Sequence, residues 1–188
     1  MHFKGDIDFF DGETGELLSQ AHNAIHYGNL ANIVALALNN AQGSYIHYMA
    51  FGNGGTSVDT SGRVLYRTPR VSEGLESSAD LYNRTYEKVI SFQTVTDNIQ
   101  VIPGISYSDI KITCTLTKNE PADQDLFDTS VTNEEKYVFN ELALFSYPSD
   151  PSQGISTSKM MTHAIFHPVQ KALNRSIRVV YTIRIQLS

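Results

Sequence analysis

Ser176-Ile177-Arg178-Val179-Val180-Tyr181-Thr182-Ile183-Arg184-Ile185-Gln186-Leu187 alternates residue by residue. Ile177, Val179, Tyr181, Ile183, Ile185 and Leu187 share one side, and Arg178, Thr182, Arg184 and Gln186 the other. Successive side chains of an extended chain point to opposite faces, so this is a strand with one apolar and one polar face. Working backwards, the same reading gives strands over Ser158 to His167, Tyr137 to Tyr147, Ser108 to Lys118 and Tyr86 to Thr96. Polar or proline-containing links separate them, Pro121 to Glu135 and Pro148 to Ser158 among them. Strands of about ten residues punctuated by turn signals predict an antiparallel β-sandwich or a jelly-roll-like barrel.

The N-terminal part adds three elements. Lys4 to Phe10 and Glu16 to Gln20 flank Asp11-Gly12-Glu13-Thr14-Gly15, which suits a hairpin. Over Asn29 to Asn40 the period changes: Leu30, Ile33, Val34, Ala37 and Leu38 are spaced as one face of a helix, and Gly43 follows as a stop signal. This is the one amphipathic helix expected, packed on the sheet. Tyr45 to Phe51 then reads as a strand entering the turn Gly52-Asn53-Gly54-Gly55-Thr56. Thr56 to Arg84 is a long polar loop without sustained period, with a short helix expected around Ala79 to Asn83. One domain over 1–188 is expected from the length, divided into a hairpin and helix (1–43), the loop (56–84) and a strand-rich core (86–188).

Composition narrows the function. The chain has 188 residues and a formal charge of −6, without the clustered Lys and Arg that phosphate neutralisation needs, so nucleic acid is not an expected partner. Residues 1–62 carry six acids and one base, while 153–188 carry five bases and no acid. Either the terminal strands pair within one sheet, or neighbouring copies meet head to tail in a ring. Met1 to Phe10 contains Asp6 and Asp8 where a signal peptide needs apolar residues, and no stretch approaches membrane-spanning length. Synthesis in a reducing cytoplasm with no membrane partner is the expectation. Cys114, the single cysteine, lies in the alternating run Ile110, Ile112, Cys114, Leu116 and reads as a small core residue.

No set of residues carries a catalytic signature. The glycine turn at 52–56 lacks the Gly-Lys-Ser/Thr of a phosphate loop and the βαβ context of a dinucleotide site, so it reads as a tight turn. His22, His26 and His47 form the N-terminal histidine group, and no Glu follows His22 as a zinc protease requires. His163 and His167 lie four apart in a strand, on one face but well separated, and read as polar surface or interface residues. Glu141 stands among apolar neighbours that could raise its pKa for glycoside hydrolysis; the favoured reading is a pairing with an arginine such as Arg67 or Arg70 that fixes the long loop on the sheet. No catalytic, cofactor-binding or metal residues, and no small-molecule substrate, are therefore expected. Ten tyrosines and no tryptophan suit wet protein interfaces, or a sugar-stacking platform without its strongest residue.

Several motifs resemble, in order, those of a loose class of tailed-bacteriophage virion proteins. They are the helix Asn29 to Asn40, the strand-turn Tyr48-Met49-Ala50-Phe51-Gly52-Asn53-Gly54-Gly55-Thr56, the Leu65 to Arg70 segment, Asn140-Glu141-Leu142-Ala143-Leu144-Phe145, and the long final strand. Ala143 stands where such proteins often carry glycine. The resemblance implies a non-enzymatic structural subunit of the neck, collar, tail or baseplate, located in the virion and present in several copies. The reading that combines it with the strand pattern and the charge asymmetry is a ring of copies docked on neighbouring neck, tail or baseplate proteins, with inter-subunit contacts expected from loops Thr56 to Asn83 and Pro121 to Glu135. The alternative is a carbohydrate-binding β-sandwich module of a receptor-binding or decoration protein.

Overall fold

A computed structural model describes residues 2–41, 43–71, 79–91, 94, 96–121, 138–172 and 174–186. It is mainly β. The chain runs β1 (His2–Asp11), β2 (Leu17–Ile25), α1 (Tyr27–Leu38), β3 (Ile46–Gly52), β4 (Thr56–Val58), β5 (Val64–Tyr66), β6 (Arg84–Val89), β7 (Asn98–Pro103), β8 (Tyr107–Leu116), β9 (Val138–Ser146), a 3₁₀ segment (Pro151–Thr157), β10 (Met160–Gln170) and β11 (Ile177–Gln186).

Nine of these strands form one antiparallel sheet in the order β6-β3-β9-β10-β2-β1-β11-β8-β7. The sheet curls until its two halves face each other. Phe9 of β1 meets Phe166 of β10 at 4.2 Å between ring centroids, and Lys88 of β6 reaches the Thr115 carbonyl of β8 at 2.6 Å. The enclosed core takes Ile7, Ile112 and Val179 from one half and Met49, Phe51 and Leu142 from the other. A sandwich or barrel-like class is thus the observed fold. Strand β11 keeps its expected alternation, with Ile177, Val179, Tyr181 and Ile183 buried and Arg178 and Arg184 exposed. Cys114 is buried beside them.

The oppositely charged ends are strand partners: β1 pairs with β11 along its whole length, and Arg175 Nε donates to Asp11 Oδ2 at 2.9 Å. No described helix is long and apolar enough to cross a membrane.

Several expectations are corrected. The helix begins at Tyr27, capped by His26, whose Nδ1 accepts from Asn29 N, and it ends at Leu38. Its stop is not Gly43. Asn40 takes a positive φ of 53°, Asn40 N donates to Ala37 O, and Ala41 N donates to Leu36 O, which is the Schellman pattern with asparagine in the left-handed position. Leu38, expected on the packed face, is 85% exposed. No helix forms at Ala79 to Asn83, where Leu81 is pinned into a small cluster with Ala50, Phe145 and Ile155. The loop 56–84 holds the β4–β5 hairpin, whose Asp59 Oδ1 accepts from Ser61 N and Arg63 N. The strand expected over Tyr86 to Thr96 stops at Val89, and β7 was not foreseen. Of the Pro121 to Glu135 link, all but Pro121 lies outside the described residues.

Candidate functional site

The most organised polar site is built on Glu141. It sits in the middle of β9, in a strand otherwise buried among apolar neighbours, and it has no exposed surface. Its Oε1 accepts from Gly54 N (2.9 Å) and Asn83 N (2.8 Å); its Oε2 accepts from Tyr82 N (3.0 Å) and His163 Nε2 (3.1 Å). A carboxylate offers about four lone-pair positions, and four donors occupy them. Burial alone would raise its pKa, but the His163 hydrogen bond and the amides of Asn83, Tyr82 and Gly54 outweigh that and hold it below the usual range. The raised pKa that a glycoside-hydrolase role for Glu141 would need is therefore absent, in line with the favoured reading of a loop-fixing residue.

His163, from the adjacent β10, is equally buried, which corrects its reading as a surface residue. Its Nδ1 accepts from Arg70 N at 2.8 Å, so the ring proton sits on Nε2 and points at the carboxylate. The expected arginine partners lie elsewhere: the guanidinium carbons of Arg67 and Arg70 sit 4.8 and 5.3 Å from the Tyr82 ring centroid. The role foreseen for Glu141, tying the long loop to the sheet, is realised with a histidine and three amides as partners.

Asn140 extends the lock. Its Oδ1 accepts from Gly55 N (2.8 Å), and its Nδ2 donates to Asn53 O (3.0 Å) and Thr56 Oγ1 (2.7 Å). The glycine turn does cradle an anion, and the anion is the chain's own. Glycine is required by close approach: a Cβ on Gly54 would lie 2.6 Å from the Tyr82 Cβ and 2.7 Å from Asn83 N.

The other candidate residues are scattered. His22 lies on β2 and bonds Asp6 at 2.6 Å, and His26 caps the helix. His47 meets Ser91 Oγ at 2.7 Å and packs against Tyr48 and Tyr147, with burial pushing its pKa down. His167 is exposed and bonds the Tyr66 hydroxyl at 3.1 Å. Among the described residues no three His, Cys, Asp or Glu side chains gather as a metal site needs.

Two surface hollows lie near these elements. A cavity of about 340 Å³ opens between α1 and the β7 end of the sheet, lined by Leu30, Val34, Phe3, Ile99, Val101 and Ile185 among others, with only Ser44 and Tyr45 supplying polar side chains. A second, of about 530 Å³, lies beside the lock and is lined by Asn53, Thr56, Ser57, Asn140 and Pro168, together with Val58 and Val138. Sequence reasoning missed the first because three of its lining residues, Ile99, Val101 and Ile185, come from the unforeseen β7 and the far end of β11. Compared with protein-family models, curated proteins and solved structures, the chain has no match.

Proposed function

We propose that this chain is a non-enzymatic structural subunit of a tailed-bacteriophage virion, of the neck, collar, tail or baseplate type, assembling with copies of itself in a ring and docking on neighbouring virion proteins. The observation that carries the reading is the saturation of Glu141. The fully buried carboxylate of Glu141, which could have served as an acid or base, has every acceptor position filled by loop amides and His163, so its chemistry is spent on holding Gly54, Tyr82 and Asn83 against the sheet. Loop ends braced in this way suit a contact surface, as a repeated subunit needs when many weak contacts add by avidity. The motif order of the chain supports the virion setting. Native mass spectrometry at micromolar concentration, with proteomics of purified particles, tests it. Closed oligomers and presence in particles are expected; a monomer absent from particles would end the proposal.

A second reading, a carbohydrate-binding module, is favoured by one feature. The 530 Å³ hollow offers the carboxamides and hydroxyls of Asn53, Thr56, Ser57 and Asn140, the groups that hydrogen-bond sugar hydroxyls. A glycan array separates the two, since a ring subunit gives no saturable glycan signal.

A further inference from the structure

Asn53-Gly54 is the chain's single Asn-Gly pair. Asparagine is thermolabile, and its weak point is attack by the amide nitrogen of the next residue on the side-chain carbonyl carbon. Glycine in the next position leaves that nitrogen unhindered by a side chain and gives the backbone freedom to reach. The Gly54 N–H gives its proton to solvent base, its nitrogen bonds to Asn53 Cγ, and the Cγ–Nδ2 bond breaks as ammonia leaves with a proton from solvent. Water then opens the cyclic imide at either carbonyl. The product is an aspartate, or an isoaspartate whose backbone runs through Cγ.

The fold engages the groups that this reaction needs. Gly54 N donates to Glu141 Oε1 at 2.9 Å, so removing its proton creates a second negative charge against a fully buried carboxylate. Glu141 does not take the proton itself, because its hydrogen bonds hold its pKa below the usual range and make it a weak base. Asn53 is fixed at three atoms: its N donates to Asn83 O at 3.1 Å, its carbonyl accepts from Asn140 Nδ2 at 3.0 Å, and its Oδ1 accepts from Asn83 Nδ2 at 2.6 Å. Closing the imide ring takes Gly54 N from Glu141 and the carboxamide from Asn83. Water is within reach, since Asn53 lines the 530 Å³ surface hollow.

We propose that Asn53 is a latent self-deamidation site, held unreactive by the Glu141 lock and released to form aspartate and isoaspartate when that lock opens. The change runs one way. An isoaspartate adds a methylene to the backbone between Asn53 and the Gly54 amide, in a turn where Asn53 O, Gly54 N and Gly55 N are each bonded to the Asn140 or Glu141 side chain. The lengthened turn misplaces at least one of the three, so a reacted chain does not relock. This inference concerns the lock alone and goes beyond the virion reading, standing whether or not a ring forms.

Peptide mapping by mass spectrometry after incubation in mildly alkaline buffer tests it. The signal is a gain of about one mass unit on the peptide holding Asn53, with elution separating isoaspartate from aspartate. A reaction that proceeds through an open state scales with the population of that state, so native wild type is expected to react at least about tenfold slower than the same chain in urea. Glu141→Gln removes the charge and leaves a loop amide unpaired, and it is expected to speed the native-state reaction at least about tenfold. Val179→Ala, a core truncation in the opposite half of the sheet that also lowers stability, is expected to stay within about threefold of wild type. The wild-type Gly54 amide decides the matter even if Glu141→Gln unfolds: its protection from hydrogen exchange is expected to match the slowing of deamidation. Native wild type that reacts as fast as the urea-unfolded chain overturns the proposal. Equal acceleration in Glu141→Gln and Val179→Ala, acceleration in neither, or a protected Gly54 amide beside rapid loss of ammonia from Asn53 overturns it too.

Discussion

Burying a carboxylate costs several kcal/mol unless its lone pairs are met, and Glu141 survives at zero exposure because four donors converge on it. Glu141→Gln replaces one acceptor oxygen with an NH₂ group that faces donors. At least one loop amide is then left unpaired, and a loss of about 2–4 kcal/mol in urea unfolding is expected. His163→Gln is expected to cost only about 1 kcal/mol, since glutamine can still donate to Glu141 and accept from Arg70. The pH dependence follows from the sign of the shift. Glu141 is lowered on folding from its ordinary 4.5, so its contribution is complete above that value and fades as pH falls through the folded-state value. Stability profiles of wild type and Glu141→Gln are therefore expected to converge on acidification. Lys171 acts in the same sense on the alkaline limb. Burial lowers its ammonium to about 8, so the unfolded chain binds the extra proton between about 8 and the ordinary 10.5, and stability rises with pH across that window. Lys171→Met is expected to flatten that rise in unfolding measured from pH 8 to 9.5.

At the scale of elements, the turn leaving β3 and the segment 81–83 are interlocked, and glycine at 54 permits the fit. Gly54→Ala would drive a Cβ into Asn83 N and the Tyr82 Cβ, prising the very amides that hold Glu141. A loss of about 1–3 kcal/mol is expected, seen as a lower denaturation midpoint with faster exchange of the Tyr82 and Asn83 amides. The helix end offers the converse. Asn40 at φ 53° closes the Schellman turn, and Asn40→Gly is expected to leave stability within about 1 kcal/mol, because both residues tolerate that conformation. Elements whose signal is a local period were legible in the chain: β8, β9 and β11 from alternation, α1 from its 3.6 spacing. The helix bounds shifted because capping by His26 and Asn40 is a matter of side-chain and backbone fit that apolar spacing does not encode. Strand β7 escaped notice because an edge with exposed residues on both faces shows no alternation.

At the scale of the molecule, β1 and β11, the first and last strands, lie side by side in the interior of the nine-strand order, next to the central β2. Removing residues 2–11 would separate β2 and its half from β11 and its half. Such a truncation is expected to lose cooperative unfolding in thermal denaturation followed by circular dichroism, where trimming an edge would not. The curled sheet also makes most pairings long in sequence, and folding on the millisecond-to-second scale of all-β chains is expected in stopped-flow refolding. Side-chain alternation was enough to establish strand faces, the burial of Cys114 and the class of fold, because each depends on residues a few positions apart, while charge asymmetry left the pairing of the two ends as one of two readings that the β1–β11 ladder decided. Strand order and the partners of Glu141 depended on contacts distant in sequence, from 22 to 87 residues for Glu141 and farther for the β1–β11 pair. Which of several donors reaches a buried carboxylate is settled by where the curled sheet delivers them, and a one-dimensional pattern holds no record of that distance.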